Sequence, residues 1–436
     1  MVESNRLPAR GAVFWPVGTG DSTSVVVNDD IVMQVDLHDM MKADDDVNPE
    51  VAVIDRLIEA LPSVGGRPYL ATFVLTHADK DHCLGFADLL DRVLIGELWS
   101  TPRLWREYND PDADELCSDA VAFREESERR IGATKKAISQ GLAPGSGDRI
   151  RVVGYDDDHS KHAYDELPDI YLPSPGDSVT SLDGQELAGT FEAFIHAPFR
   201  DDAAAARNET SLSMQVTLTD ESGVNGKILL FGDLAHDTIM KIFNYSEYHN
   251  RQHYLEWDLL LAPHHCSKRV MYKRVEGAEE LQLDVLNAFE RHANVGATIV
   301  ASSAPFPDGD VDGLNPPHKM AADRYTEIAD ELICTMSWVD ETAPSPVVFG
   351  VDADGARVIR GDLVKNAGSE AQLELRHSAV GRRFAAVTAA AVAVANTIPA
   401  TAFAASTPSG PDLVDSAVAS DRGASSAPDV AVGFGR

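Results

Sequence analysis

The chain has 436 residues, 44% hydrophobic and 25% charged, which allows a sizeable core and matches an ordinary soluble globular protein. Its formal net charge of −33 argues against passive adhesion to nucleic acid or an anionic membrane, although bound divalent cations would reverse the potential locally. The four cysteines, Cys83, Cys117, Cys266 and Cys334, exclude a C-x-x-C zinc site and a disulfide framework, and Met1 to Arg10 carries no apolar leader, so a reducing cytoplasm is expected.

Two β-rich runs, Ser24 to Val27 and Ile31 to Val35, flank Asn28-Asp29-Asp30 and predict a hairpin. Before them, Val17-Gly18-Thr19-Gly20-Asp21-Ser22 is a glycine loop between strands, a weak phosphate cradle because no clear helix follows it. Val53, Ile54, Leu57, Ile58 and Leu61 form one stripe of a helix within residues 49–62 that should pack on a sheet. Phe73-Val74-Leu75 then runs into Thr76-His77-Ala78-Asp79-Lys80-Asp81-His82, with Gly85 shortly after. A buried strand thus delivers four potential metal ligands to its C-terminal end, where open α/β sheets place their sites. Alternation aims His77, Asp79 and Asp81 the same way, and the following turn can swing His82 back onto a metal.

Leu84 to Val93 reads as a helix and Ile95 to Ser100 as a strand. Residues 102–146 are charged and helix-favouring, most persuasively Ala120 to Ile138, and read as an insertion: a lid over the site, or equally a solvated decoration or dimer surface. Arg124, Arg129, Arg130, Lys135 and Lys136 supply rare positive charge there, for an anion or simply for solvent. Ile150 to Gly154 is a strand, and His159 and His162 beyond it are minor metal candidates.

Phe191 to His196, Lys227 to Phe231, Trp257 to Leu261 and Ala297 to Ser302 read as further strands. The second of these ends in Gly232-Asp233, where Asp233 suits either a carboxylate shared by two cations or the cap of a helix over Ala235 to Phe243. The third ends in Pro263-His264-His265-Cys266-Ser267. Cys83 and Cys266 each adjoin a ligand cluster, so they could meet each other or a metal, or be small buried residues. Val347 to Val351 and Ala356 to Ile359 read as a closing hairpin. Residues 366–436 are Ala-rich and of low complexity, a marginal helix and disordered tail without a confident membrane span; C-terminal anchoring is the minority reading.

The run His77-x-Asp79-x-Asp81-His82 resembles the His-x-His-x-Asp-His signature of the metallo-β-lactamase superfamily, with Asp79 replacing the second His. With Gly85, the Val17-Gly18-x-Gly20-Asp21 opening and the His264-His265 pair, it is similar to the hydrolase domain of ComEC-type DNA-uptake proteins, with Cys266 where Gly is usual. The resemblance covers Val13 to about Ile328 and implies an αββα sandwich, with one hydrolase domain over residues 11–365. It implies two divalent ions, Zn²⁺ first with Mn²⁺ or Mg²⁺ as rivals because Asp79 hardens one position. His77 and Asp79 would hold one ion, Asp81, His82 and one of His264 and His265 the other, and Asp233 would bridge. His264 is the first choice as ligand and His265 as the catalytic partner of Asp81, an assignment the sequence leaves open.

His318, which precedes a helix starting near Lys319, would protonate a leaving group or bind substrate. Asn208, standing where relatives carry a third-motif His, would face substrate with Ser211 and Lys268. Asp36 and Asp21 would orient ligands from behind. The implied activity is a metal-dependent hydrolase of a phosphodiester, with nucleic acid a possible substrate. Another ester or a lactam is the nearest alternative, and a metal-binding regulatory module without catalysis the more distant one. Protein partners are unknown from sequence.

Overall fold

The hairpin around Asn28 forms with strands Thr23–Asn28 and Ile31–Val35, and Oδ1 of Asn28 closes its turn by accepting from the amides of Asp30 (2.9 Å) and Ile31 (3.0 Å). These strands sit inside a sheet ordered Gly355–Ile359, Val347–Asp352, Gly11–Phe14, Thr23–Asn28, Ile31–Val35, Arg67–Val74, Leu94–Ser100 and Arg149–Val152. Pairing is antiparallel up to Ile31–Val35 and parallel from there on. The computed structural model describes residues 7–42, 49, 51–109, 115–154, 162–199, 207–311, 313 and 315–359.

A second sheet repeats the division. Its order is Glu331–Cys334, Ala293–Ala301, Trp257–Leu261, Asn225–Leu230, Ser213–Thr219, Phe191–Ala197 and Ser178–Val179, parallel through Asn225–Leu230 and antiparallel beyond. Strand alternation sorts the side chains into layers. Phe14, Val25, Met33 and Val35 of the first sheet meet Ile195, Met214, Val216 and Leu259 of the second in one buried cluster. On the outer face of the first sheet, Val26, Val32 and Phe73 pack against Ile54 and Leu57 of helix Val53–Ala60 and Leu89 of helix Phe86–Arg92. On the outer face of the second, Leu229, Leu260 and Ile299 pack against Ile242 of helix His236–Tyr248, Phe289 of Leu283–His292 and Tyr325 of Lys319–Ile328. This is the expected αββα sandwich.

Part of the stretch read as an insertion packs on the first sheet. Helix Ser118–Ser139 bridges the parallel strands Leu94–Ser100 and Arg149–Val152, and its Ala120, Phe123 and Ile131 are buried in the outer core, with Phe123 5.8 Å from Phe73 and 4.9 Å from Phe86 between ring centroids. It is therefore a crossover helix packed on the sheet. Sequence concealed this because the helix also buries Arg130, whose guanidinium donates to the carbonyls of Ile95 (2.9 Å) and Gly96 (3.2 Å), interrupting the apolar stripe. Four of the five positive charges are paired: Arg124 with Glu128, Arg129 with Glu126 and Asp148, Arg130 with Glu126 and Lys135 with Glu166.

His159 and residues 366–436 lie outside the described residues. Among the described residues no helix is long and apolar enough to cross a membrane.

Candidate metal centre

Every ligand cluster stands at the C-terminal end of a parallel strand, two from each sheet. Asp36 follows Ile31–Val35, His77 to His82 follow Arg67–Val74, Asp233 follows Asn225–Leu230, and His264 and His265 follow Trp257–Leu261. Parallel strands that switch to antiparallel neighbours leave a crevice at that end, and the two sheets bring their crevices together.

Asp233 is the centre of the arrangement. Its Oδ1 lies 3.2 Å from Nε2 of His82 and 3.3 Å from Nε2 of His265, while its Oδ2 lies 3.6 Å from Nε2 of His264 and 3.9 Å from Nε2 of His77. One carboxylate thus presents each oxygen to a different pair of imidazoles. The helix-cap alternative for Asp233 does not hold, since the following helix begins at His236 with Ala235 before it and no side-chain cap.

Around Oδ1 the groups are tightly drawn. Nε2 of His82 is 3.2 Å from Nε2 of His265, which is 3.4 Å from Oδ2 of Asp81. Bonds of 2.0 to 2.1 Å to a tetrahedral ion separate neighbouring donor atoms by about 3.3 Å, so these spacings fit a small divalent cation. Around Oδ2 the set is wider, Nε2 of His77 being 3.5 Å from Oδ2 of Asp79. Nε2 of His77 and Oδ1 of Asp233 are buried and have no hydrogen-bond partner among the described residues. Buried polar atoms left unsatisfied are costly, and a cation between them would remove that cost. Asp21, His82, Asp233 and His265 each bring a donor atom within 4.8 Å of the others, a buried group able to hold a metal ion. Asp21 belongs behind that group in our reading, because its Oδ1 faces Nδ1 of His265 at 3.4 Å and not the Nε2 that meets Asp233.

The supports are as specific as the ligand set. Asp36 accepts at Oδ2 from Nδ1 of His82 (2.8 Å) and the Thr76 hydroxyl (2.6 Å), and at Oδ1 from the Thr76 amide (2.7 Å). With the carboxylate on Nδ1, Nε2 is the His82 nitrogen that faces Asp233. Asp36 adopts a left-handed backbone (φ 55°), and Nε2 of the Gln34 side chain donates to its carbonyl at 2.7 Å. His264, His265 and Cys266 are three successive left-handed residues (φ 51°, 52° and 65°), which explains why Gly suits the last place. Strain of about 1 to 2 kcal/mol at each persists because neighbouring loops pin the turn. The His264 amide donates to the Gly232 carbonyl (3.0 Å), and the His318 amide to that of Cys266 (3.1 Å).

Among the residues expected at substrate, Asn208 donates from Nδ2 to Oδ2 of Asp233 at 3.2 Å. Ser211 is fully buried: its hydroxyl donates to the Asn208 carbonyl (2.7 Å), accepts from the Asp233 amide (3.2 Å) and lies 3.3 Å from Nδ1 of His77, so it braces the centre instead of facing substrate. The Lys268 ammonium pairs with Glu279. His318 precedes helix Lys319–Ile328 and accepts at Nδ1 from the Lys268 amide at 3.4 Å. His162 stands apart from these contacts, stacked on Tyr164. Cys83 meets Cys117, not Cys266, at 3.4 Å between sulfurs, while Cys266 is buried in the outer core of the second sheet.

Sequence reading missed Arg207 and Glu107. Arg207 donates from Nη1 to Oδ1 of Asp79 (2.6 Å) and from Nε to Oε2 of the buried Glu107 (2.9 Å), whose Oε1 accepts from Arg103 (2.9 Å). Only the Arg-Asn-Glu-Thr turn at Arg207–Thr210, beside Asn208, hinted at it.

The charges are balanced for cation capture. Burial alone would discharge His82, yet Asp233, Asp36 and Asp81 raise its pKa well above the usual imidazole value; for His265, Asp233 and Asp21 outweigh burial in the same way. Burial likewise opposes ionisation of Asp233 and Asp81, but the imidazoles beside them keep both below the usual carboxylate range. Asp79, against its burial, is pulled to about 2 by His77 and Arg207. Burial pushes His264 down to about 4 against the pull of Asp233, leaving it neutral with a free lone pair. A divalent ion would take the place of the protons that His82 and His265 otherwise hold.

No family model matches the chain, and no curated protein matches it. Among solved structures it is similar to the metallo-β-lactamase MIM-1 from Novosphingobium pentaromativorans, at 15% identity and a TM-score of 0.26, over 60% of this chain and 78% of that one.

Proposed function

We propose that this protein is a metal-dependent hydrolase that cleaves a phosphodiester with water, using two divalent ions. The observation that carries the reading is the division of Asp233, with one oxygen toward His82 and His265 and the other toward His77 and His264. One carboxylate facing two imidazole pairs suits two neighbouring cations better than one. His82, His265, Asp81 and Asp233 Oδ1 form the tighter set, which suits Zn²⁺. His77, Asp79, His264 and Asp233 Oδ2 form the wider set, where Mn²⁺ or Mg²⁺ is a rival. Divalent ions held there would lower the pKa of water and offset charge developing on the attacked ester.

The chain's own groups do the rest. His265 is assigned as a ligand in this reading, and His264 faces the other oxygen of Asp233, the reverse of the first choice made from sequence. Asp36 holds His82 in the tautomer that offers Nε2, and Asp21 faces Nδ1 of His265 from behind. Asn208 steadies Asp233, and His318 is the proton donor to the leaving alkoxide, standing beside the His264 turn. The net charge of −33 favours a small phosphodiester over long DNA.

The test is hydrolysis of bis(p-nitrophenyl) phosphate and of single- and double-stranded DNA by metal-stripped protein with Zn²⁺, Mn²⁺ or Mg²⁺ restored, beside Asp81→Ala. Cleavage that needs metal and disappears in the variant is expected. Stoichiometric metal binding with no cleavage under any metal would sink the phosphodiesterase reading.

A further inference from the structure

Cys83 and Cys117 are separated by 34 positions in the chain, yet their sulfurs lie 3.4 Å apart. Both are free thiols. Cys83 is fully buried and follows His82 directly, at the end of the turn Lys80–Cys83 that carries Asp81 and His82; its thiol also donates to the Asp79 carbonyl at 3.2 Å. Cys117 is half-buried and immediately precedes the 22-residue helix Ser118–Ser139. One cysteine is thus partly exposed, and the other is fully buried against the ligand-bearing turn.

We propose that Cys83 and Cys117 form a redox modification site, closing to a disulfide in the presence of a hydroperoxide and thereby displacing the Asp79 to His82 turn. The Cys117 thiolate attacks the peroxide oxygen, the O–O bond breaks, and the sulfur leaves as sulfenic acid with one equivalent of water or alcohol. The Cys83 thiol then attacks that sulfur, the S–O bond breaks and water departs. In sum, two thiols and one hydroperoxide give one disulfide, one water and one water or alcohol, with the sulfurs oxidised and the peroxide reduced.

The surroundings favour this order. The contact with Cys83 brings the Cys117 thiol down to about 6 despite its partial burial, helped by backbone amides of Ala120 and Asp119 at the start of the helix. The reverse order is disfavoured because Cys83 is shut away from solvent. A disulfide brings sulfurs to about 2.05 Å, so closure must move the turn, the helix start, or both. Because Asp81 and His82 ride on that turn, closure loosens the tighter ligand set. Only this last consequence rests on the function proposed above; formation of the disulfide does not.

The full chain, oxidised with hydrogen peroxide and then alkylated, is digested with trypsin. Cleavage after Lys80, Arg92, Arg106 and Arg124 separates the two cysteines into peptides Asp81 to Arg92 and Glu107 to Arg124. The expected product is the linked pair, two hydrogens lighter than the sum of the free peptides and released by dithiothreitol; it is absent from Cys117→Ser. Retained metal, measured after gel filtration, should fall at least two-fold on oxidation of the wild type and not of Cys117→Ser. If both thiols stay alkylatable, or Cys117 is oxidised to sulfinic acid without cross-linking, the modification site is overturned. Linked peptides with unchanged metal content overturn the coupling to the ligand turn. A chain that binds no metal but forms the linked pair would count against the hydrolase reading alone.

Discussion

Oδ2 of Asp36 lies 2.8 Å from Nδ1 of His82, with both side chains buried, although 46 positions separate them in the chain. That contact sets which imidazole nitrogen faces Asp233. Asp36→Asn keeps the volume and loses the charge, and the affinity for metal should fall about 10- to 100-fold. A chelator-competition titration measures this, and an unfolding curve on the same variant separates it from a general loss of stability.

Asp81→Ala and Asp79→Ala should differ. Asp81 belongs to the tighter group, so its loss is expected to remove the more strongly held ion, whereas Asp79→Ala should leave one equivalent bound. Metal analysis after dialysis reads both. Equal stoichiometry in the two variants would contradict the division of the site at Asp233.

Arg207 fixes one oxygen of Asp79, which leaves the other turned to His77. Arg207→Ala should weaken the second metal equivalent about 10-fold and leave the first unchanged. It should also cost about 1 to 3 kcal/mol of stability, because Glu107 loses one of its two arginines in a buried setting. Arg207→Lys restores charge without the two-pronged geometry and should recover only part of either.

His196 is fully buried, and its Nε2 donates to the Tyr254 carbonyl at 2.9 Å. Burial pushes its pKa down to about 4, the carbonyl contact opposing. Between pH 6.5 and about 4 the unfolded chain therefore binds a proton that the folded chain refuses. The stability contributed by this group is intact above pH 6.5 and is lost as the pH falls through that window, on the order of 3 kcal/mol. Thermal unfolding of His196→Gln should show a correspondingly shallower loss over the same range than the wild type.

Phe123→Ala should cost about 3 to 5 kcal/mol, because its ring fills the outer core against Phe73 and Phe86. Chemical denaturation measures this. A variant that unfolds like the wild type but admits larger substrates would support the lid reading.

The strand-end clusters were legible from sequence because they are local. An apolar run of strand residues followed within a few positions by His or Asp defines both the element and the end at which its candidate ligands emerge, and it does so at His77 to His82, at Asp233 and at His264 to His265. The layered fold was implied by the superfamily resemblance, while strand alternation and amphipathic helices such as Val53–Ala60 placed the individual elements. Tertiary structure decided what lies far apart in the chain. His82 and His265 meet across 183 positions, Arg207 reaches Asp79 across 128, and Cys83 finds Cys117 rather than Cys266. It also made helix Ser118–Ser139 a crossover, since its buried Arg130 is tolerable only with the carbonyls of Ile95 and Gly96 waiting for it. Local sequence carries periodicity and turn chemistry, but which charges meet depends on two sheets closing face to face, and that is a property of the whole packed core.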